Sequence, residues 1–569
     1  MNLPDITALN VFWAAAPIFI VLYLMVGRNW GGEKAGIAGW ATAVLLSLLF
    51  FGANVSLLLA ATGRSVLLSL FVLYIIWMAL LLYHTINEAG AIRVIGRELP
   101  LLTQDKPAQA LLLAWIFGSF LQGASGFGVP AAVVAPLLVA LGFAATEAVT
   151  MALIGHAWAV TFGSLGSSFL SLIAATGVPG DVLAGPTAGM LAVCCLGCGL
   201  SVLWLAGGQT AVRQRGLFLL VVTAVMAGTQ WAVASAGLWT LASFGAGLAG
   251  LVVAIFTFTR VRRVTAVGHA AHVATRRLAA AFAPYPPLLR GIRTGQLLLG
   301  DILGKVQLNA TFAEVTTGFG WITPAGPGRS IDLFGHGGAL LLYTSLLTFA
   351  WFHWQGAFPD DDGERRGYDG RVILQKTWLG SRKPTIGILT LVAMATTMQH
   401  AGMTQLLANA LSSVAGPVYP LVSPFIGALG AFMTGSNTNS NVVFGELQRQ
   451  TAVTLGLSMP IILAAQTAGG AIGSAFAPAK VVVGCSTVPG ANDGRVLRLT
   501  ATYGLGIILA VALVTWLLAF SPRQPTANSL QPTAYNTTGD CSTRQWWASI
   551  MLKICWTARS CAPSAFTTK

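Results

Sequence analysis

Thr434-Gly-Ser-Asn-Thr-Asn-Ser-Asn441 interrupts the apolar stretch 418–455, and Gln122-Gly-Ala-Ser-Gly-Phe-Gly-Val-Pro130 interrupts the apolar stretch 108–143. A straight helix over 108–143 would run ~54 Å, well beyond a hydrocarbon core of ~30 Å. Three Gly within six residues, followed by Pro, break it in the middle. In the second stretch, seven of eight consecutive side chains can hydrogen-bond. Each stretch therefore reads as a helical hairpin or a pair of half-helices, with tips at Gly123–Gly128 and 434–441. Aligning Gly118-Ser-Phe-Leu-Gln-Gly-Ala-Ser with Gly430-Ala-Phe-Met-Thr-Gly-Ser-Asn keeps Gly, Phe and Gly in register, 312 residues apart. Each is followed by a Gly-rich patch, 155–166 (GHAWAVTFGSLG) and 469–473 (GGAIG). Paired interruptions in two halves mark the binding site of many transporters.

The composition sets the same frame. The 569 residues are 55% hydrophobic and 9% charged, with mean hydropathy +0.73, where a soluble domain carries about 25% charged residues. So few charges cannot cover a water-exposed surface, which excludes a soluble enzyme, a nucleic-acid binder and a disordered chain. The apolar runs are long and continuous, unlike the alternating ten-residue strands of an outer-membrane barrel. The expectation is an all-α, polytopic transmembrane helical bundle in the cytoplasmic (inner) membrane, with lipid around it and no nucleic acid. The net charge of +14 then reflects basic cytoplasmic loops. The seven Cys show no metal spacing; Cys194, Cys195 and Cys198 share one apolar run and read as packing thiols. The start, MNLPDITALN, has no Lys or Arg and lacks the basic region of a secretory leader. Arg28 and Lys34 follow the first run, which places the N-terminus outside.

Spans are expected at 11–26, 35–53, 65–83, 185–206, 216–237, 238–259, 333–354, 384–411 and 497–520. Loops 84–106, 207–215, 260–296 and 355–383 are basic, whereas 177–184 and 414–418 hold no Lys or Arg. The first set should be cytoplasmic and the second external. Basic loops then flank the single span 333–354, so a further crossing by a weak helix is expected between Ala279 and Gly320, although Arg290, Arg293, Asp301 and Lys305 interrupt it. The chain divides into a first transmembrane half, 1–259, a basic loop with the weak segment, 260–332, a second half, 333–520, and a Ser/Thr/Pro-rich tail, 521–569, expected to be disordered. Because the first hairpin is entered from inside and the second from outside, the halves read as inverted repeats. Their tips should meet near the midplane.

Backbone groups freed at such breaks must line a cavity or contact protein. Half-helix N-termini offer free N–H groups and partial positive charge, and with Ser and Thr hydroxyls and Asn amides they suit an anion such as a carboxylate. The candidate substrate-binding residues are Gly123, Ser125, Gly126, Gly128, Gly435, Ser436, Asn437, Thr438, Asn439 and Ser440. Close packing of small residues is the competing reading of the Gly-rich breaks.

The segments FGSFLQGASGFGVPAA (117–132), GALGAFMTGSNTNSNVVFGELQ (427–448), MQHAGM (398–403) and AAQTAGGAIGSAFAPAK (464–480) resemble the signatures of the L-lactate permease family. The resemblance covers most of 11–520. It implies import of lactate, glycolate and related 2-hydroxy monocarboxylates with a proton, on the plan of carboxylate transporters with two opposed hairpins. The family usually has Glu where Gln122 stands. The region 260–327 fits poorly, and the tail has no counterpart.

Ionisable residues within spans are functional candidates by default. His156 and His400 are the proton-coupling candidates, since imidazole titrates near neutral pH; the alternative is a hydrogen-bonded packing role. Arg449 and Lys480 are candidates for pairing a substrate carboxylate, with Gln122 beside the first tip. Snorkelling is the alternative for Lys480, and an i,i+3 pair with Glu446 for Arg449. Sodium coupling stays open beside the proton, because Ser, Thr, Asn and backbone oxygens suit a hard cation. A membrane-embedded enzyme is the rival class, but HExxH, GxSxG and Walker motifs are all missing. No cofactor or metal is expected, and the oligomeric state is open.

Overall fold

The computed structural model describes residues 3–28, 30–126, 128–263, 305–358 and 368–520. Among them, eight helices are long and apolar enough to cross a membrane. The chain opens with α1 (Ala8–Gly27), α2 (Gly32–Phe50) and α3 (Val55–Glu88). Thr7 and Asn54 start α1 and α3 by accepting backbone N–H bonds from Asn10 and Leu57. A short α4 (Ala91–Glu98) follows.

The first hairpin begins with α5 (Lys106–Ala110), continues through a π-helical stretch, Leu111–Phe117, into α6 (Gly118–Ala124), and returns as α7 (Val129–Ala140). A broken helix comes next, α8 (Ala145–Gly155) and α9 (Gly163–Thr176), bent by 52°. The spans expected at 185–206 and 216–237 are the two helical segments of α10 (Gly180–Ser235), separated by a break at Gly207 and Gly208, where Gly208 has φ +59°. Then comes α11 (Ala242–Arg263).

The second half holds α12 (Gly337–Gln355) and α13 (Gly370–His400). The span expected at 384–411 is in fact two helices. It breaks at Gly402, φ +76°, before α14 (Met403–Ala415). The second hairpin is α15 (Tyr419–Thr434) and α16 (Asn437–Thr454). A second broken helix, α17 (Met459–Gly473) and α18 (Pro478–Ser486), precedes α19 (Asp493–Ala519).

The weak helix expected between Ala279 and Gly320 falls mainly on residues that the structure does not describe. Residues 279–304 lie outside the described residues, and 305–320 are not helical. From residue 307 onward three nested antiparallel pairs make a β-ribbon: β1 (Gln307–Leu308) with β6 (Ile331–Asp332), β2 (Thr311–Phe312) with β5 (Gly326–Pro327), and β3 (Val315–Thr316) with β4 (Ile322–Thr323). β-branched and aromatic residues, with Gly at the tip and Pro324 and Pro327 nearby, favour strands over helix. The ribbon docks on the start of α3. Gly318 N–H donates to Gly52 O at 2.7 Å, and Arg64 donates to Pro324 O at 3.0 Å. The tail 521–569 lies outside the described residues.

Helices α1, α2, α3, α12 and α13 pack on one another, while the hairpins pack with the broken helices, α10, α11 and α19. Helix α19 locates the hairpins' open ends. At its start Arg495 pairs with Glu147, just after the first hairpin, at 3.1 Å. At its end Ala519 O accepts from Ser458 N–H, just after the second hairpin, at 2.9 Å. The open ends therefore lie at opposite ends of a 27-residue helix, ~40 Å apart.

Candidate functional site

The break between α8 and α9 is the first element of the site. Ser164 and Leu165 have φ of +48° and +55°, the only non-glycine residues with positive φ among those described. Left-handed backbone costs ~1–2 kcal/mol per L-residue, and such strain persists only where its surroundings enforce it. Here Trp158 donates to Ser119 Oγ of α6 at 2.8 Å, and Ser243 of α11 donates to Ala159 O at 2.8 Å.

The second hairpin's tip meets this break. Gly435, φ +69°, ends α15 and reverses the chain. Ser436 then caps α16 by accepting from Asn439 N–H. The N–H groups of Asn437 and Thr438, at the first two helical positions, have no acceptor among the described residues. From α16, Asn437 Nδ2 donates to Thr161 Oγ1 and to Thr467 Oγ1, both at 3.2 Å. Asn441 Nδ2 donates to Thr467 Oγ1 and to Ser168 O, both at 2.9 Å. Thr438 and Ser168 share a hydroxyl bond at 3.0 Å. All of these side chains are buried, yet Asn437 Oδ1 and Asn441 Oδ1 have no partner. Two acceptor oxygens are left over at the centre of the protein.

The first tip reaches the same break from the other hairpin. Gly126 leaves room for Ser164, whose Oγ occupies the space a side chain would need. Gln122 packs against Gly163, 2% exposed, with Oε1 unpartnered. Both tips also approach α18. A methyl at Gly128 would lie 3.7 Å from Val483 Cγ1, and one at Gly435 would lie 3.8 Å from Ala479 Cβ. The first turn of α18 carries Lys480, whose ammonium donates to Ser474 Oγ at 3.0 Å and forms no ion pair among the described residues.

The structure thus sets Gln122, Gly126, Asn437 and Thr438 against the break at 161–168, with Gly128, Gly435 and Lys480 at α18; Gly123 packs instead on the backbone of Phe244, and Ser125 donates to Leu121 O within its own helix at 2.8 Å. Ser436 holds the helix start, while Asn439 lies beside Gly32 at the α1–α2 turn. Ser440 turns inward and donates to Gly427 O at 2.7 Å, binding the hairpin arms together. His156 abuts the first hairpin at Gly118. Its Nδ1 lies 2.6 Å from Ala152 O, which can only accept, so Nδ1 carries the proton and Nε2 is the free base. The ring is fully buried, and the Lys480 ammonium is the charged group near enough to act on it. His400 makes the same bond to Thr396 O at 2.8 Å but belongs to the other helix group, beside Arg64. Arg449 is held by Glu446 through two bonds of 2.7 Å and is not free for a substrate. Sequence reading missed Thr161, Ser168 and Thr467. Thr161 lies in the turn between α8 and α9, inside the Gly-rich patch 155–166, Ser168 adjoins Ser167 in α9, and Thr467 adjoins Gln466 in α17, so closeness to the two Gly-rich patches was the available signal.

The sequence model of the L-lactate permease family matches residues 10–285 and 366–521. The L-lactate permease of Bacillus subtilis (strain 168) is 25% identical over 557 residues, spanning 90% of this chain and 96% of that protein. The glycolate permease GlcA of Escherichia coli (strain K12) is 26% identical over 555 residues, with the same spans of 90% and 96%. The solved structure of the Alcanivorax borkumensis YdaH transporter aligns over 90% of this chain and 98% of its own at 14% identity, with a TM-score of 0.42.

Proposed function

The chain belongs to the L-lactate permease family, and we propose that it is a secondary active transporter that imports small 2-hydroxy monocarboxylates, L-lactate and glycolate, together with a proton. It is a multi-pass protein of the cytoplasmic membrane and a transporter, not an enzyme. The observation that carries the substrate reading is the pairing of opposite chemistries at the second tip. Free N–H groups at the start of α16 and the Lys480 ammonium suit a carboxylate. The unpartnered Oδ1 of Asn437 suits the O–H that a 2-hydroxy acid carries beside that carboxylate.

In this reading the halves 1–259 and 333–520 act as inverted repeats, with the tips as alternating barriers. His156 takes the coupled proton on Nε2. A second reading, sodium coupling, draws on Asn437 Oδ1 and Asn441 Oδ1, two buried oxygens without donors.

The test is uptake of labelled L-lactate into vesicles with pH and sodium gradients imposed separately. Accumulation is expected with the pH gradient alone; accumulation with sodium alone would decide for the cation reading. Asn437→Ala should lose the preference for lactate over propionate, which lacks the hydroxyl, by about tenfold. Unchanged discrimination in a well-expressed Asn437→Ala variant would refute the hydroxyl assignment.

A further inference from the structure

A second cluster of unsatisfied donors lies under the β-ribbon, in the segment that the family match skips. His336 caps α12. Its Nδ1 accepts from Gly338 N–H at 3.1 Å, which leaves the proton of the neutral ring on Nε2. That Nε2–H is buried without a partner, and the residue is 6% exposed. Phe71 and Tyr74, halfway along α3, wall the ring, Phe71 edge-on at 4.6 Å and Tyr74 stacked at 5.2 Å. Arg329 lies over the same Phe71 ring at 4.2 Å. Its guanidinium donates to no described residue, and its Nε is buried and unpartnered. Asp332 acts on it electrostatically but forms no ion pair with it. An arginine, an imidazole N–H and the start of a 19-residue helix thus converge without an anion between them.

This cluster adjoins the transport site. A methyl at Gly337 would lie 3.5 Å from Thr240 Cγ2, and one at Gly166 would lie 3.2 Å from Thr240 Cα. Thr240 therefore lies beside both the first residue of α12 and the strained break of the first half. The ribbon itself sits at the start of α3, the end remote from the basic segment at Arg93, Arg97 and Lys106, which is the external end by charge.

We propose that Arg329 and His336 form an outer anion-binding point that receives a small monocarboxylate before it reaches the break at 163–166. Arg329 grips the carboxylate in the two-pronged manner of guanidinium, His336 Nε2–H supplies a third bond, and the Phe71 and Tyr74 rings face the carbon chain. The inference rests on the transport reading for its cargo.

Initial rates of L-lactate uptake in right-side-out and inside-out vesicles test it. Arg329→Gln should raise KM about tenfold from the outer side, while the maximal rate holds within about twofold and KM from the inner side stays at the wild-type value. Arg329→Lys should fall between, since it keeps the charge and loses the fork. His336→Asn keeps a helix cap and removes the Nε2–H donor, so it should raise the outer KM with the fold intact. An outer KM unchanged in Arg329→Gln, or raised equally from both sides, overturns the proposal. Binding gives a readout that does not depend on translocation. Purified protein with Asn437→Ala should retain one saturable site for L-lactate or acetate that Arg329→Gln then removes; no saturable site in the Asn437→Ala protein also overturns it. Wild-type vesicles that take up no lactate would count against the transport reading instead.

Discussion

Replacing Gly469 with Ala is the sharpest test of how the hairpins are seated. A methyl there would lie 1.9 Å from the carbonyl oxygen of Pro424, and 2.6 and 2.8 Å from its C and Cα. All three are backbone atoms of α15, so no side-chain rotation relieves the overlap. Contact at about 3.5 Å requires α17 to retreat by roughly 1.5 Å. Thr467 rides on the same helix, two residues earlier. Its bonds from Asn437 at 3.2 Å and Asn441 at 2.9 Å would then exceed hydrogen-bond range. Overpacking costs ~1–3 kcal/mol, and two weakened buried bonds add ~1 kcal/mol each, giving a loss of about 3–5 kcal/mol. The control is Gly189→Ala in α10, exposed and with nothing within 4 Å, where the helix should gain up to about 1 kcal/mol. Thermal unfolding in detergent reads the difference, followed by a thiol-reactive dye on the buried Cys194, Cys195, Cys198 and Cys485 and at one fixed scan rate. Gly469→Ala should melt clearly below wild type, with reduced uptake, and Gly189→Ala at or above it. Equal melting of the two variants would refute the backbone-to-backbone seating of α15 on α17.

Glu446→Gln leaves Arg449 charged without its partner. Because Arg449 is 31% exposed, the loss should be about 2 kcal/mol, short of the ~3–5 of a fully buried pair, and should appear as a lower melting temperature that Glu446→Gln/Arg449→Gln partly restores; no shift would show the pair to be idle. His156→Gln should abolish pH-driven accumulation of lactate while counterflow exchange persists, and Gln122→Glu should shift the pH dependence of uptake without eliminating it. Full pH-driven accumulation in His156→Gln would make His156 a packing residue and move attention to His400 or to sodium.

The hairpins were legible in the sequence because their cause is local. Gly and Pro at 123–130 and the polar run 434–441 cannot continue a helix in lipid, whatever surrounds them. The partners of those tips were not legible, because Thr161, Ser168 and Thr467 take their meaning from residues some 300 positions away. The β-ribbon was missed for a different reason. Attention went to the charges at 290–305, while the β-branched and aromatic residues from Gln307 to Thr323, with Gly318 and Gly320 between, carried the strand signal. The same distinction between local and distant causes bears on coupling. The family resemblance implies an acid where Gln122 stands, and the consequence of that difference depends on what else faces the break. Gln122 Oε1 has no donor and His156 Nδ1 is tied to Ala152 O. Among the candidates around the tips, His156 presents a ring nitrogen, Nε2, that bears no proton and can accept one. The charge acting on that ring is the Lys480 ammonium, the group proposed to hold the substrate carboxylate. An arriving carboxylate that neutralises Lys480 would therefore favour protonation of His156. Proton and anion would then bind together through one electrostatic contact, with no acid at position 122 required.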